Sequence, residues 1–472
     1  MRYLLRMGAD LFGQLQNHAA RFRPRESASL MLVGRSRTGD DETLLARRAI
    51  PLNPDAYEVQ EQDRLVVHPR VINSALALCE ANNLGIVFCH SHPSDIPYSM
   101  SDDEGEARLF DVFTQFLPDL PFGSLLLCPD TTFGRVWMLG PQHQLLDRIQ
   151  IVGPTLKTIV VDETMRRHSI ATSPEFDRQA RALGEEGQTA VSHAKVAIVG
   201  LGGTGTPTAE QLVRLGVRDL VLIDPDVADE TTITRGYGIF PEHLGASPGA
   251  LKRLLGIRSH NTPKVAAVAK HLRRIAPNAR IVALQGDVVE TTVARRLLDR
   301  TVICCCVDEH WGRAVLNQLS YQYLIPVINL GVRLDVRDGK MIGAAGSVQV
   351  LRPGVACLWC GAQLSSERIR AESLSAKERA KLESESYVVG VETRAPMVIS
   401  LTTTLSGLAV TAFLHLVTGF LGDDATFARQ NYFIQEGIVS RGVTNVKDHC
   451  LCAQALGFGD LKPLPTVWSR PS

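Results

Sequence analysis

The chain carries no excess of either charge: 50 lysines and arginines face 50 aspartates and glutamates, and no long basic run occurs. That balance argues against non-specific nucleic-acid binding and against an electrostatic membrane anchor. The opening "MRYLLRMGADLFGQ" lacks the basic head, apolar stretch and small-residue cleavage site of a secretory leader. The most apolar late stretch, "LAVTAFLHLVTGFLG" (Leu408 to Gly422), is short and includes His415 and two threonines. It reads as a buried helix, not a membrane span. No internal repeat or low-complexity tract occurs. The expectation is a cytoplasmic protein, with no nucleic-acid and no membrane partner. At 472 residues it is long enough for two or three domains with their own cores.

A disulfide framework is also missing, since ten cysteines are scattered over the whole length. Cys304, Cys305 and Cys306 fall in "TVICCCVD", the pattern of a buried strand. Cys79, Cys89 and Cys128 lie among apolar neighbours, where a thiol acts as a small hydrophobe. Cys357, Cys360, Cys450 and Cys452 stand apart from these.

What is present is an α/β pattern in two parts. Residues 1–150 mix a helix ("RVINSALALCEANN") with strands ("ASLMLVG", "LGIVFCH", "GSLLLCPD", "GRVWMLG") and read as one compact α/β domain. Residues 151–175, punctuated by Pro154 and Pro174, read as a linker. From 176 to 472, strands and helices alternate: "AKVAIVG", "TAEQLVRLG", "DLVLID", "PKVAAVAKHLRRIAP", "ARIVALQGDV", "RTVICCCVD", "IPVINLG". That order predicts a Rossmann-like, doubly wound and mostly parallel sheet. The charged stretch "SSERIRAESLSAKERAKLESES" (Ser365 to Ser386) predicts a solvated helix or crossover.

The stretch "FCHSHPSDIPYSMSDDE" (Phe88 to Glu104) ends an apolar run with two histidines one residue apart. Along an extended chain His90 and His92 point to the same side. A catalytic zinc takes three protein ligands and keeps one open position, so a nearby acid would complete the set. Such an ion brings the pKa of its water towards 7, and a glutamate base would then carry the proton to a leaving amine. The plainer alternative is a loop with two histidines and an acidic helix cap, "SDDE". The H-x-H-P and S-x-x-D pattern resembles the JAMM (MPN-type) metallopeptidases, which cleave isopeptide or peptide bonds beside a ubiquitin-like C-terminus. The resemblance covers about residues 1–140. It implies Glu26 as the base, Ser99 as a donor to the tetrahedral oxyanion, and zinc on His90, His92 and an acid. The serine spacing favours Asp102 for that acid and the ten-residue gap after the second histidine favours Asp103; Asp102 is the preferred ligand.

In "AIVGLGGTGTPTAEQLVRLG", Gly200, Gly202, Gly203 and Gly205 lie between a strand and a helix. Glycines there permit a tight turn and let a helix N-terminus approach phosphate. Asp224, at the end of the next strand, is placed for ribose hydroxyls. Alone, this fits a dinucleotide oxidoreductase equally well. The succession "GLGGTG", "LIDPDVADETTITR", "NTPKVAAVAKHLRRIAP", "CCCVD", "PGVACLWC" resembles the ubiquitin-activating (ThiF-like) adenylyltransferases over about residues 170–460. The resemblance implies ATP above the glycine loop, ribose on Asp224, phosphates on Arg235 and Lys264, and Mg²⁺ on Asp308. It also implies a homodimer in which Arg178 reaches the partner's ATP. Thr232 stands where the family often has asparagine. Cys357-x-x-Cys360 and Cys450-x-Cys452 resemble that family's structural zinc pairs, the second with one intervening residue instead of two.

Many relatives pass the activated carboxylate to a cysteine after the first zinc pair, yet no cysteine lies between Cys360 and Cys450. Direct hand-off of the acyl-adenylate is expected, with an oxyester on Ser365, Ser366, Ser384 or Ser386 as the alternative. The combined expectation is a bifunctional enzyme. It would adenylate the C-terminal glycine of a ubiquitin-like protein in a bacterial-type pathway and trim or deconjugate that protein, with a conjugating enzyme as a further partner. Sulfur-carrier maturation, or a non-catalytic scaffold binding such a protein, are the alternatives.

Overall fold

In a computed structural model, residues 1–138, 142–161, 173–245, 260–375, 378, 396–422 and 427–468 are described. The chain forms two compact units. The first comprises Met1–His168 plus two later stretches, Tyr321–Leu324 and Ala453–Pro463; the second comprises Ser169–Ser320, Ile325–Cys452 and Leu464–Ser472.

The first unit is built on a mixed sheet containing β1 (Arg2–Gly8), β2 (Ala28–Thr38), β3 (Asp41–Pro51), β6 (Gly85–Ser91), β7 (Phe122–Leu127), β8 (Thr132–Met138), β9 (Gln142–Leu145), β10 (Arg148–Val152) and β11 (Leu156–Val160). Their spatial order is β11-β10-β1-β3-β2-β6-β7-β8-β9, and β4 (Tyr57–Gln60) with β5 (Leu65–Val67) forms a separate ribbon. Side chains alternate between two cores, as strand geometry requires. Met31, Val33, Val87 and Cys89 pack with Leu15 and Ala19 of α1 (Ala9–Phe22). Leu30, Leu32, Ile86 and Phe88 pack with Ala75 and Cys79 of α2 (Pro69–Asn82) and with Phe110 and Phe113 of α3 (Met100–Phe116). His90 shares the parity of Phe88 and stacks beside it, so it falls on the α3 side.

The linker expected over 151–175 begins later. β10 pairs in parallel with β1, and β11 pairs antiparallel with β10, so the sheet continues to residue 160. Ile149 and Ile151 are buried there, but two apolar positions beside Pro154 are too short a signal to read as a strand. The Ala453–Pro463 stretch closes against β2. Gly34 N donates to Gly457 O, and Asp460 N donates to Arg35 O. Gly459 has φ +56°, and a Cβ on it would lie 2.1 Å from Arg35 O.

The second unit holds β12 (Lys195–Val199), β13 (Asp219–Ile223), β14 (Arg280–Leu284), β15 (Val302–Cys305), β16 (Val327–Arg337), β17 (Lys340–Leu351), β18 (Arg429–Phe433) and β19 (Ile438–Arg441). Their order is β14-β13-β12-β15-β16-β17-β18-β19. The first five are parallel and the rest antiparallel. The central strands are continuous apolar runs, as burial on both faces demands. The apolar late stretch lies in helix Ile399–Thr418, which by length and composition alone could cross a membrane. Here Leu405, Ala409, Phe413 and Leu416 are buried, and Ser406 Oγ donates to Thr204 O near the glycine loop. Of the charged stretch, Ser366–Glu372 is helical, while 376–377 and 379–395, with Ser384 and Ser386, lie outside the described residues.

Candidate functional site

In the first unit, β6 delivers His90, and the residue pair after it is fixed by backbone bonds: Ser91 N to Ser27 O and His92 N to Leu127 O. The two rings lie 5.2 Å apart. Ser99 caps α3, its hydroxyl and N–H both donating to Asp102 Oδ2 at 2.7 and 2.6 Å while its Oγ accepts from Asp102 N. This capping box turns Asp102 towards the histidines. Asp102 Oδ1 is 3.3 Å from His90 Nε2, and its Oδ2 is 3.4 Å from His92 Nε2. One ligand atom from each of the three residues lies within 4.8 Å of the others. Asp103 does not join them; its carboxylate pairs with buried Arg135.

Glu26 enters from the residue pair before β2, with Oε1 3.7 Å from His92 Nε2. Burial raises its carboxyl to about 7, against the pull of His90 and His92. Burial also works against charge on Asp102, but the adjacent imidazoles of His90 and His92 hold its carboxyl well below the usual range. His92 Nδ1 meets Ile96 O at 2.9 Å, leaving Nε2 turned to the acids. Both ring nitrogens of His90 are buried and lack a hydrogen-bond partner. Two imidazoles and a carboxylate converging with unsatisfied nitrogens fit a zinc ion, whose ordinary donors these are. Ser99's hydroxyl is committed to Asp102 in this structure.

In the second unit, Gly200 follows β12 with φ +90°, and a Cβ there would lie 2.6 Å from Cys306 O. A Cβ on Gly205, the first residue of α5 (Gly205–Leu215), would lie 1.8 Å from Gly200 O, and one on Gly203 would meet Met397 Sδ at 2.5 Å. Gly202 alone of the four meets nothing within 4 Å. The loop is thus closely packed beneath and open at Gly202. Asp224 braces it: Oδ2 accepts from Leu201 N at 2.6 Å and Oδ1 from Asp226 N at 2.9 Å. Burial raises the Asp224 carboxyl, with Lys264 opposing. Lys264 is buried at the head of helix Lys264–Ile275, its Nζ 2.7 Å from Asp226 Oδ2 and 3.6 Å from Asp224 Oδ1. Asp226, unnoticed in the sequence, is therefore the direct partner of that lysine; the D-x-D in "LIDPDV" was the available signal. Arg235 is half-buried with an unpartnered Nε, and Asp308 is exposed just beyond β15. Arg178 is exposed on α4 (Asp177–His193). Thr232 is fully buried, and its Oγ1 donates to Asp229 Oδ1 at 2.6 Å, so its hydroxyl serves a turn rather than a ligand. The glycine loop and the Cys306–Asp308 segment share the C-terminal edge of parallel strands, where open α/β sheets take ligands.

The four late cysteines meet. Cys357 Sγ is 3.7 Å from Cys360 Sγ and 3.4 Å from Cys450 Sγ, and Cys360 Sγ is 3.7 Å from Cys452 Sγ. Sulfurs at ~2.3 Å around a tetrahedral zinc lie ~3.8 Å apart, so the set fits that ion. The single residue between Cys450 and Cys452 does not prevent both from reaching it. Lys447 N and Cys360 N aim at Cys360 Sγ and Cys357 Sγ, as donors to thiolates do. Elsewhere burial pushes Cys79 and Cys304 up to about 12 and Cys128 up to about 11, far from a reactive thiolate.

A Rossmann-like sheet with a braced glycine loop defines a nucleotide-binding type of α/β domain, here joined to a four-cysteine cluster. Residues 176–452 match the ThiF family, and the chain belongs to that family. Similar curated proteins include the sulfur carrier protein ThiS adenylyltransferase of Bacillus subtilis, 26% identical over 179 residues, covering 38% of this chain and 46% of that protein. The SAMP-activating enzyme E1 of Haloferax volcanii is 24% identical, covering 39% and 62%. The ubiquitin-like modifier-activating enzyme 5 of Drosophila persimilis is 26% identical, covering 46% and 54%. The chain thus spans about half the length of the curated relatives it matches. Among solved structures, E. coli MccB with ATP is 15% identical with a TM-score of 0.44, covering 60% of this chain and 75% of that one.

Proposed function

We propose that the chain is a bifunctional enzyme acting on one protein tail. Its second unit adenylates the C-terminal glycine carboxylate of a ubiquitin-like or sulfur-carrier protein, with ATP as co-substrate and pyrophosphate as the leaving group. The observation that carries this reading is the glycine loop, packed on every side but Gly202 and embedded in a ThiF domain. Supporting it, relatives are named as adenylyltransferases or activating enzymes of such proteins. Negative charge gathers on the α-phosphate as the carboxylate attacks, so preplaced cations are required. Arg235, with its unpartnered Nε, and Lys264 are the cations; Asp308 would hold Mg²⁺ and Arg178 would serve a dimer partner. Lys264 must first exchange Asp226 for phosphate. The absence of a cysteine between Cys360 and Cys450 favours direct hand-off of the acyl-adenylate. It also favours a sulfur-carrier partner as the second reading.

The first unit is an (iso)peptidase of the JAMM type in this reading. His90, His92 and Asp102 would hold zinc, which supplies a Lewis acid. Glu26, placed 3.7 Å from His92 Nε2 with its carboxyl raised by burial, would move the proton between water and the leaving amine. ATP–pyrophosphate exchange with glycine-ended carrier proteins tests the adenylating half; absence of exchange with every such carrier would leave a scaffold. Cleavage of a C-terminally extended carrier tests the other half. His92→Ala should abolish cleavage and spare exchange.

A further inference from the structure

His90 is flanked by two acids of one helix. Its Nε2 faces Asp102, and its Nδ1 lies 3.8 Å from Glu106 Oε1. Four residues separate these acids, one helical turn, so both face β6. His90 Nδ1 and Glu106 Oε1 are each buried and without a hydrogen-bond partner. Buried polar atoms are seldom left so, and a modest approach would satisfy both.

The rest of Glu106 is held firmly. Its Oε2 accepts from Trp137 Nε1 and from Arg135 Nε, each at 2.9 Å. Arg135 also donates to Ser124 Oγ and Asp103, and its guanidinium lies 3.7 Å from the centroid of the Tyr98 ring.

An imidazole that ligates through Nε2 keeps its proton on Nδ1, and an acceptor there fixes tautomer and ring plane. His92 has the Ile96 carbonyl for this purpose. The geometry points to Glu106 as the matching acceptor for His90: a positioning residue, braced by Arg135 and Trp137, that closes on Nδ1–H when His90, His92 and Asp102 hold a metal. This rests on the metal centre proposed above. It gives three acids of α3 separate offices: Asp102 faces the ion, Glu106 orients the histidine, and Asp103 anchors the arginine behind Glu106.

Zinc titration of the chelator-stripped full chain, against a chromophoric competitor, tests it. The binding step that disappears in His90→Ala belongs to this centre. Glu106→Gln should weaken that step by about tenfold or more and leave the cysteine step unchanged. In the Co²⁺-loaded chain, the exchangeable, cobalt-shifted N–H proton of His90 should move or vanish into solvent exchange in Glu106→Gln, while that of His92 stays. A merely structural role gives the opposite pattern, a lower unfolding temperature with affinity and both resonances unchanged, and would overturn the proposal. Should Glu106→Gln fail to fold, Trp137→Phe keeps a ring and deletes one donor to Glu106. It should weaken the same step several-fold, and an unchanged affinity would overturn the proposal. A native chain with no histidine-dependent step would remove the metal centre itself, a distinct failure that takes this inference with it.

Discussion

Asp102 and Asp103 are consecutive residues with divergent partners: Asp102 faces the two imidazoles at 3.3 and 3.4 Å, and Asp103 pairs with Arg135. Successive helical positions turn by about 100°, so only one of two adjacent acids can face a given strand. Asp102→Asn should therefore remove one zinc per chain by elemental analysis, and Asp103→Asn should retain it. Asp103→Asn leaves buried Arg135 its bonds to Glu106 and Ser124, so its cost should show as a fall in unfolding temperature with the zinc retained.

Glu26 contacts the same site without being one of the three converging ligands. Glu26→Gln should preserve zinc content and lower cleavage of an extended carrier by about 10²–10⁴-fold, the usual reach of a general base. Loss of the zinc along with the activity would make Glu26 a ligand instead.

The glycine loop separates packing from binding. Gly205→Ala places a methyl against Gly200 O and should destabilise the second unit, lowering its unfolding temperature. Gly202→Ala meets only open space, so the unfolding temperature should hold while ATP affinity, measured by calorimetry, falls. Unchanged affinity would move the nucleotide away from this loop.

The cysteine cluster joins residues some 90 positions apart. Cys450→Ser should remove one zinc per chain and leave the histidine site filled. A loss of ~2 kcal/mol would lower the unfolding temperature by roughly 3 °C in a unit of this size. A thermal scan with parallel metal analysis separates this from a simple packing defect.

The parallel strands of the second unit were legible because double-sided burial writes them as unbroken apolar runs, as in "AKVAIVG" and "TVICC". β17, β18 and β19 were not, since Gly343 and Gly346 interrupt one and "RQNYF" and "IVSR" are short and partly exposed. β1 and β3 escaped notice for a similar reason, as arginines break their pattern. At the sites, ligand candidates set within one loop could be read from spacing. The serine spacing already preferred Asp102 to Asp103, but Glu106 and Arg135 could not be read, since they are 29 residues apart and meet only when β8 lies beside α3. Spacing reports what is local; burial and long-range pairing are decided by the sheet.

The Ala453–Pro463 stretch has a practical consequence for anyone dividing the polypeptide. A truncation after His168, the obvious cut, would deprive β2 of the partners that Gly457 and Asp460 supply to Gly34 N–H and Arg35 C=O. It would also uncover the seat of Phe458 and Leu461. Such a fragment carries a raw strand margin beside an oily hollow, the combination through which neighbouring molecules zip together.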